Sequence, residues 1–340
     1  MTEHLTRTIS PSGAWHAGAG YHRMILANPW YRGVATLQNA VSELTSDFWR
    51  GRRARTMHLP VTTGSISSPM GRGSDSTPVS VDLGGVRTYL ADSMQFMLEL
   101  GCRVSGTDCY YVMPSFRGEP SDPTHLSQFF HSEAEIRGGL TSVIEVVQDY
   151  LRFVTAGLLE AEADLVLSLG GRLDHLERLA GSPVFHQLTF DEAADLLGPG
   201  GVEDHGGWRT LPRRSERELI SRVGEFVWIT HWDHLAVPFY QAFADGHRKR
   251  ALNADLLFGP GEVVGAGERH RTAVSLREAL RLHEVPQSAY EWYADMRVTD
   301  PLLTSGFGMG IERYLMWVLD HSDIRDLQLL PREMGKAIVP

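Results

Sequence analysis

The chain has 340 residues, a mass of 37.9 kDa and a formal net charge of −10. This length suits one large domain or two smaller ones, and the acidic balance excludes a broad, nonspecific nucleic-acid-binding surface. The two cysteines, Cys102 and Cys109, form neither a disulfide framework nor a zinc site. The sequence shows no apolar signal core and no apolar run of about 18 residues. It therefore predicts a cytoplasmic protein with reduced thiols and no membrane contact.

The first part of the chain predicts an extension, a helix and a short strand. Residues 1–32 are rich in Gly, Ser, Pro and His and predict an irregular extension or lid, followed by one domain over residues 33–340. Apolar residues recur at helical spacing over residues 33–50, and residues 56–61 predict a strand closed by a proline. A helix and strand of this kind suit a subunit interface.

A loop, a strand and a helix follow. Residues 63–79 are small and polar and predict a mobile loop. The sequence then predicts a strand over residues 86–90 and a helix that begins near Gln95. Asp92 or Ser93 is the expected N-cap, because both residue types cap helices well.

Two further strands are predicted over residues 110–116 and 125–136. Period-two alternation gives one face of the second strand four residues: Phe129, His131, Glu133 and Glu135. Buried carboxylates need a cation or hydrogen-bond donors, so this face predicts a ligand-binding surface. A solvent-exposed sheet face is the alternative.

The rest of the chain predicts an α+β fold around an antiparallel sheet rather than alternating βαβ units. Helices are predicted over 140–170, 190–197, 216–223, 275–283, 288–297 and 310–319, and strands over 226–230, 252–258 and 261–267. The His-rich turn over residues 231–234 lacks evident third and fourth ligands for a metal site.

The run GFGMGIER, residues 306–313, places three glycines at alternate positions before an amphipathic helix. Arg313 falls in the first turn of that helix. Because the helix dipole disfavours a cation there, a bound phosphate is one explanation. A glycine-rich turn followed by a solvated arginine is the other. A dinucleotide fold is disfavoured, because the spacing is G-x-G-x-G and no βαβ unit surrounds it.

Two arginines and two acidic residues near strand ends suit a nucleoside triphosphate with magnesium. Together with their surroundings they resemble the catalytic domain of class II aminoacyl-tRNA synthetases of the aspartate and asparagine subgroup. The chain is also similar to archaeal asparagine synthetases that lack an anticodon-binding domain. The motifs that carry the resemblance are the helix and strand ending at Pro60, Phe116–Glu119 with His125–Glu135, Gly261–Arg269, GFGMGIER, and Ile324–Arg332.

The resemblance implies a class II synthetase-like antiparallel sheet flanked by helices, with ATP and Mg²⁺ as cofactors. It implies catalytic roles for Arg117 at the α-phosphate and Arg313 at the γ-phosphate. The remaining implied nucleotide ligands are Glu119 at the adenine amino group, His125 at the phosphate tail, Phe129 stacked on adenine, and Glu262 as the magnesium ligand.

The resemblance also implies an amino-acid pocket. Its implied members are Ser93, Gln95, His131, Glu133 facing the α-ammonium, and Arg269 reading the side-chain end of the substrate. The sequence departs from the family at several positions. Leu98 stands where aspartate-specific members carry lysine, and the glutamate usual in the mobile loop of asparagine-specific members is absent. Thr304 replaces a common histidine, Gly265 stands at a second magnesium-site position, and His131 is itself a departure.

The implied function is an AMP-forming, ATP-dependent ligase that activates aspartate or a related amino acid as an adenylate. Only about 32 residues precede Gly33, so no anticodon-binding domain is expected, and ammonia or a small amine is favoured over tRNA as the acceptor. A homodimer is expected. Transfer to tRNA or to a carrier protein is the first alternative, and a noncatalytic amino-acid-sensing paralogue is the second.

Overall fold

A computed structural model describes residues 8–13, 15, 20–67, 77–181 and 183–337. The strands in these ranges are β1 Arg55–Thr56, β2 Thr62–Thr63, β3 Val79–Leu83, β4 Val86–Leu90, β5 Cys109–Phe116, β6 Gln128–Arg137, β7 His186–Thr189, β8 Glu203–Asp204, β9 Arg209–Thr210, β10 Val227–Thr230, β11 Asn253–Phe258, β12 Gly261–Glu268 and β13 Thr304–Gly310. The helices are α1 Tyr21–Ala27, α2 Pro29–Gly51, α3 Gln95–Ser105, α4 Leu140–Ser168, α5 Asp174–Ala180, α6 Phe190–Leu197, α7 Arg213–Val223, α8 Ala273–Leu282, α9 Glu291–Thr299 and α10 Ile311–Val318.

An eight-stranded sheet organises the fold, in the order β1-β5-β6-β13-β12-β11-β10-β7. Its central neighbours, from β5 across to β10, are antiparallel, which confirms the predicted α+β pattern. The two outermost pairs, β1 with β5 and β7 with β10, are parallel, so the sheet is mixed. Strands β2, β4 and β3 form a separate small sheet.

The two faces of the large sheet have different roles. One face packs on α2, α4 and α10, and the side chains of Phe307 and Met309 from β13 are buried in that core. On the same face, Ser132 of β6 lies 2.9 Å from the Tyr150 hydroxyl of α4. The opposite face of β6 carries the predicted ligand-binding residues, and Glu133 there is buried. The predicted alternation in β6 is therefore confirmed.

The N-terminal region is more regular than predicted. Residues 21–27 form α1, and α2 begins at Pro29, four residues before the expected start. Asn28 caps α2 by accepting a hydrogen bond from the Trp30 amide, and a proline at the first helical position has no amide hydrogen to leave unpaired. The prediction of an irregular extension is wrong for this stretch. The role of residues 1–32 as a lid and the domain boundary at residue 33 stay predictions.

Three local predictions need correction. The strand expected over 56–61 ends at Thr56, and the N-cap of α3 is Met94 rather than Asp92 or Ser93. Asp92 instead accepts hydrogen bonds from the backbone and hydroxyl of Ser67. The glycine run 306–310 forms β13 itself and is not a turn.

Most of the predicted mobile loop over 63–79 lies outside the described residues. No helix within the described ranges is both long and apolar enough to cross a bilayer. The two cysteines are free thiols and are buried.

Candidate active site

The glycines of β13 make room for the side chains of β6. In the antiparallel register, Gly306 lies opposite Glu135, Gly308 opposite Glu133 and Gly310 opposite His131. A Cβ atom on Gly306 would collide with the Glu135 carboxylate, and one on Gly308 would lie 2.9 Å from Glu133 Oε1. The glycines therefore serve close side-chain approach in a strand, because β13 is extended there and needs no special backbone conformation.

One cavity of about 890 Å³ collects the predicted nucleotide ligands. The predicted residues that line it are Arg117, Glu119, His125, Phe129, His131, Glu262 and Arg313. They come from the segment between β5 and β6, from β6, from β12 and from α10. The volume lies within the range of ordinary ligand pockets, so the sheet brings these residues together into a site large enough for a nucleotide.

Arg117 brings a cation into this cavity. Its guanidinium carbon lies 5.4 Å from the centroid of the Phe129 ring, and its Nε is buried without a hydrogen-bond partner in the described ranges. Since a buried donor without a partner costs about 1–3 kcal/mol, a ligand acceptor is expected there. A phosphate oxygen fits this requirement.

Arg313 lies in the first turn of α10, as the sequence predicts. Its NH1 donates a hydrogen bond of 2.9 Å to the carbonyl oxygen of Glu262. This contact holds the guanidinium beside the acidic end of the cavity and leaves most of its N–H donors for a ligand.

His125 contacts protein side chains instead of presenting a free ring nitrogen to a phosphate. Its Nδ1 lies 3.0 Å from Asp122 Oδ2 and 2.8 Å from Arg213 NH2. Burial, followed by the charges of Arg313 and Arg213, lowers the pKa of His125, which is therefore neutral near pH 7. Its role at the phosphate tail stays a prediction. Arg213 also lines the cavity, and it is a further cation, beside Arg117 and Arg313, that the sequence did not indicate.

The carboxylates beside Gly265 fit a magnesium ion. A Cβ on Gly265 would lie 3.2 Å from Glu262 Oε1 and 3.6 Å from Asp255 Oδ1. Burial, followed by the charges of Glu262 and Glu216, raises the pKa of Asp255 well above its ordinary value. A divalent cation would relieve this repulsion, and magnesium binds through one or two carboxylates when phosphates and waters complete its shell. Glu262 and Asp255 are therefore the residues that would hold it.

No group of three or more His, Cys, Asp or Glu side chains in the described ranges forms a metal site, so a magnesium ion would depend on phosphate and water ligands besides these two carboxylates. In the His-rich turn over residues 231–234, both ring nitrogens of His234 contact protein groups. His234 Nε2 lies 2.8 Å from the Gln241 carbonyl oxygen, and its Nδ1 lies 3.1 Å from His283 Nε2.

The predicted amino-acid residues form a closed network next to the cavity. Glu133 accepts hydrogen bonds from Ser93 Oγ at 2.7 Å, from Gln95 Nε2 at 3.3 Å and from the Tyr111 hydroxyl. Burial raises the pKa of Glu133 to about 8. An ammonium group is the natural partner for this carboxyl group, because it would supply the charge that the protein surroundings lack.

Arg269 is buried, with 2% exposure, and is almost fully hydrogen-bonded. Its guanidinium donates to Glu135 at 2.8 Å, to Gln95 Oε1 at 2.6 Å and to Gln241 Oε1 at 3.3 Å. Four of its five N–H groups are used in this way: Nε, both on NH2 and one on NH1. The charge of Arg269 is therefore neutralised by Glu135 within the protein.

Leu98 is fully buried among apolar residues of α3 and β5, with no cation in its place. The functional residues that sequence reasoning missed are Tyr111, Arg213, Glu216, Gln241 and Asp255. Asp255 had a signal, because it lies on the predicted strand that pairs with the strand of Glu262. Gln241 lies in an irregular segment, where no periodicity marks it.

Comparison with known proteins identifies the family. A family model described as tRNA synthetases class II (D, K and N) matches residues 21–334. The chain is 32% identical over 277 residues to a probable cytoplasmic asparagine–tRNA ligase of Encephalitozoon cuniculi, covering 77% of this chain and 60% of that protein. It is 26% identical over 318 residues to an asparagine–tRNA ligase of Sorangium cellulosum, covering 89% of this chain and 70% of that protein. The chain thus spans only 60–70% of the length of these two relatives.

Solved structures show the same fold. Asparaginyl-tRNA synthetase of Pyrococcus horikoshii, complexed with asparaginyl-adenylate, superposes with a TM-score of 0.85 at 23% identity, over 94% of this chain and 72% of that chain. The Entamoeba histolytica asparaginyl-tRNA synthetase complex gives 0.79 at 20% identity, over 94% and 71%. With the family model matching most of its length, the chain belongs to the class II tRNA synthetases of the D, K and N group.

Proposed function

We propose that this protein uses ATP to activate an amino acid as an aminoacyl-adenylate. The observation that carries the proposal is a single cavity that holds Arg117, whose Nε has no hydrogen-bond partner among the described residues, together with Arg313 and the carboxylates of Glu262 and Asp255. Glu133, which suits an α-ammonium, lies directly behind Gly308 in the wall of that cavity. Phosphate and amino-acid binding are thus adjacent.

The chain's own residues support the chemistry. The α-carboxylate of the amino acid attacks the α-phosphorus of ATP, and negative charge grows on the phosphate oxygens as pyrophosphate leaves. Arg117 and Arg313 stabilise this charge, because their donors point into a partly buried site before the reaction begins. Magnesium, when bound at Glu262 and Asp255, supplies further charge stabilisation. Glu133 holds the ammonium and so orients the carboxylate.

The substrate we propose is asparagine rather than aspartate. A side-chain carboxylate needs an uncompensated cation, but the charge of Arg269 is balanced by Glu135, and Leu98 contributes none. An uncharged amide can accept from the remaining N–H of Arg269 NH1. It can also meet the Gln241 side chain, whose Nε2 donates to no described residue. The relatives with asparagine in their names support the same choice.

The test is amino-acid-dependent exchange of pyrophosphate into ATP. Purified protein should catalyse exchange with asparagine and at least about 100-fold less efficiently with aspartate, since rejecting the wrong polar group in a built site is worth several kcal/mol. Exchange with aspartate alone would overturn the substrate assignment. Absence of exchange with every amino acid, in folded protein, would contradict adenylate formation itself.

The acceptor of the activated amino acid has two candidates. The names of the relatives favour tRNA. The uncharged imidazole of His131 inside the cavity does not discriminate between them, because an amine and a tRNA hydroxyl both lose a proton on attack; ammonia stays the acceptor that the sequence predicts. AMP release that depends on added tRNA supports the first candidate, and release that depends on ammonium supports the second.

We also propose a cytoplasmic homodimer. The family resemblance of α2 and β1 to the first synthetase motif supports the dimer, and two free buried thiols suit a reducing compartment. Sedimentation of the purified protein at about twice 37.9 kDa is the expected result for the dimer.

A further inference from the structure

His131 lies at the centre of the proposed reaction site. On β6 it is two residues from Phe129 and two from Glu133, and all three side chains point to the same face. Residues two apart on a strand are separated by roughly 7 Å. The adenine end and the ammonium end of an adenylate would therefore lie on either side of this imidazole. The mixed anhydride between them would lie over it.

The two ring nitrogens of His131 have different surroundings. Nδ1 lies 2.8 Å from Ser115 Oγ and 3.3 Å from Glu133 Oε1. Nε2 makes no hydrogen bond to any described residue, although the residue is only 9% exposed and lines the cavity. A proton on Nδ1 satisfies the Ser115 and Glu133 oxygens, so that the lone pair of Nε2 faces the cavity.

The charged groups around His131 keep its imidazole unprotonated before the reaction. Burial, with the charges of Arg117 and Arg313, lowers the pKa of His131 well below its ordinary value. The groups that face it are these two cations, the Glu133 carboxyl, the Ser115 hydroxyl and the Phe129 ring, whose centroid is 4.7 Å away. A phosphate bound to Arg117 would compensate that cation. An imidazolium would then be better tolerated during the reaction than in the empty site.

We infer that His131 Nε2 is the catalytic base of the transfer step and accepts the proton that the nucleophile loses when it attacks the aminoacyl-adenylate. In this step the nucleophile forms a bond to the carbonyl carbon, the bond from that carbon to the phosphate oxygen breaks, and AMP leaves. The proton moves to Nε2 and later to solvent. The inference rests on the proposed adenylate formation and adds a residue for the second half-reaction.

Other nearby groups serve this role less well. Glu133 is occupied by the α-ammonium of the substrate in the proposed complex. His125 is neutral too, but its Nδ1 is engaged by Asp122 and Arg213. His131 is therefore the group in the cavity that combines an unbonded ring nitrogen with a position at the anhydride.

The test separates the two half-reactions. His131→Gln keeps hydrogen-bonding capacity and cannot carry the proton, so acceptor-dependent transfer should fall much further than pyrophosphate exchange with asparagine, which measures binding and adenylate formation. Acceptor-dependent AMP release, measured with ammonium and separately with tRNA, should fall by roughly 10²–10⁴-fold, the usual contribution of general base catalysis. The matched control, His22→Gln on the exposed surface of α1, should change neither rate.

A second variant protects the test against misfolding. His131→Ala should also lose transfer, and added imidazole should restore part of it, which a purely structural defect would not allow. Equal losses of exchange and transfer in His131→Gln, or unchanged transfer, would overturn the inference while leaving adenylate formation intact. If the unmodified protein shows no exchange, or no AMP release above hydrolysis with either acceptor, the inference also fails.

Discussion

The proposed nucleotide half and the proposed amino-acid half of the site manage charge in opposite ways. In the nucleotide half, the buried Nε of Arg117 has no hydrogen-bond partner in the part of the chain that the structure describes, and Asp255 is crowded by other carboxylates. In the amino-acid half, Arg269 and Glu135 neutralise each other, and four N–H groups of Arg269 are bonded. In the first half, a bound ligand would compensate the charges. In the second half, the charges of protein side chains compensate each other.

This difference predicts which property each half controls. Charges that await a ligand stabilise the bound state and the transition state, so their removal lowers activity. Charges that pair inside the fold are required for the folded state, so their removal lowers stability. Variants on the two sides should therefore separate the free energy of unfolding from turnover.

The largest effect is expected from Glu135→Gln. This change leaves the Arg269 guanidinium buried without a counter-charge, and loss of one partner of a buried pair costs about 3–5 kcal/mol. Denaturant unfolding should show a decrease of that size in the free energy of unfolding. The control Glu291→Gln breaks a solvent-exposed pair with Arg277 and should change stability by less than about 1 kcal/mol. Equal stabilities for both variants would contradict the internal pairing.

Arg313→Ala should act on turnover instead. Loss of one preorganised donor in a site of this kind typically lowers kcat by about 10²–10³-fold, or roughly 2.7–4 kcal/mol of transition-state stabilisation. Exchange kinetics at varied ATP concentration measure the effect, and the midpoint of unfolding should move little. Arg281→Ala on the exposed side of α8 is the matched control and should exchange normally. Near-normal exchange by Arg313→Ala would remove that residue from the phosphate site.

Gly306→Ala should lower both the stability of the protein and its activity. The added methyl group collides with the Glu135 carboxylate and with Arg269 NH2, and overpacking of a dense site costs about 1–3 kcal/mol. Both the free energy of unfolding and the asparagine KM should deteriorate. Gly246→Ala, where no atom lies within 4 Å of the added Cβ, should alter neither. Unchanged stability and KM in Gly306→Ala would mean that Glu135 and Arg269 can shift to accommodate the methyl group at no cost in free energy.

The smallest effect is a pH dependence of amino-acid binding. Because the pKa of Glu133 is raised to about 8, its carboxyl group is largely protonated near neutral pH and becomes charged as the pH rises. The charged form binds the α-ammonium, so the KM for asparagine should fall by several-fold between about pH 6 and about pH 8. The effect of Glu133 on the free energy of unfolding has the opposite sign. Its raised pKa stabilises the folded protein when the pH is below the ordinary pKa of a glutamate, and this stabilisation is lost as the pH rises through about 8.

Glu133→Gln provides the comparison for that pH series. This variant cannot ionise at the position, so its KM should be high and nearly independent of pH over the same range. A steep pH dependence that survives the substitution would assign the titration to another group.

Local sequence patterns determined much of the fold. Apolar residues at a spacing of three and four predicted α2, α4 and α10, because such a stripe must be buried against another layer. Alternation in β6 correctly placed Phe129, His131, Glu133 and Glu135 on one face, since strand geometry alone sets that period. Arg313 was correctly placed in the first turn of α10 for the same local reason.

Tertiary structure decided what those faces contact. The glycines of β13 appeared in the sequence as a turn or phosphate loop, but pairing with β6 makes them the space for Glu133 and Glu135. Pairing of β11 with β12 brings Asp255 beside Glu262, and an irregular segment carries Gln241 onto Arg269. Partnerships of this kind join residues far apart in the chain, and the energies of burial and charge compensation that select them exist only once the sheet has formed.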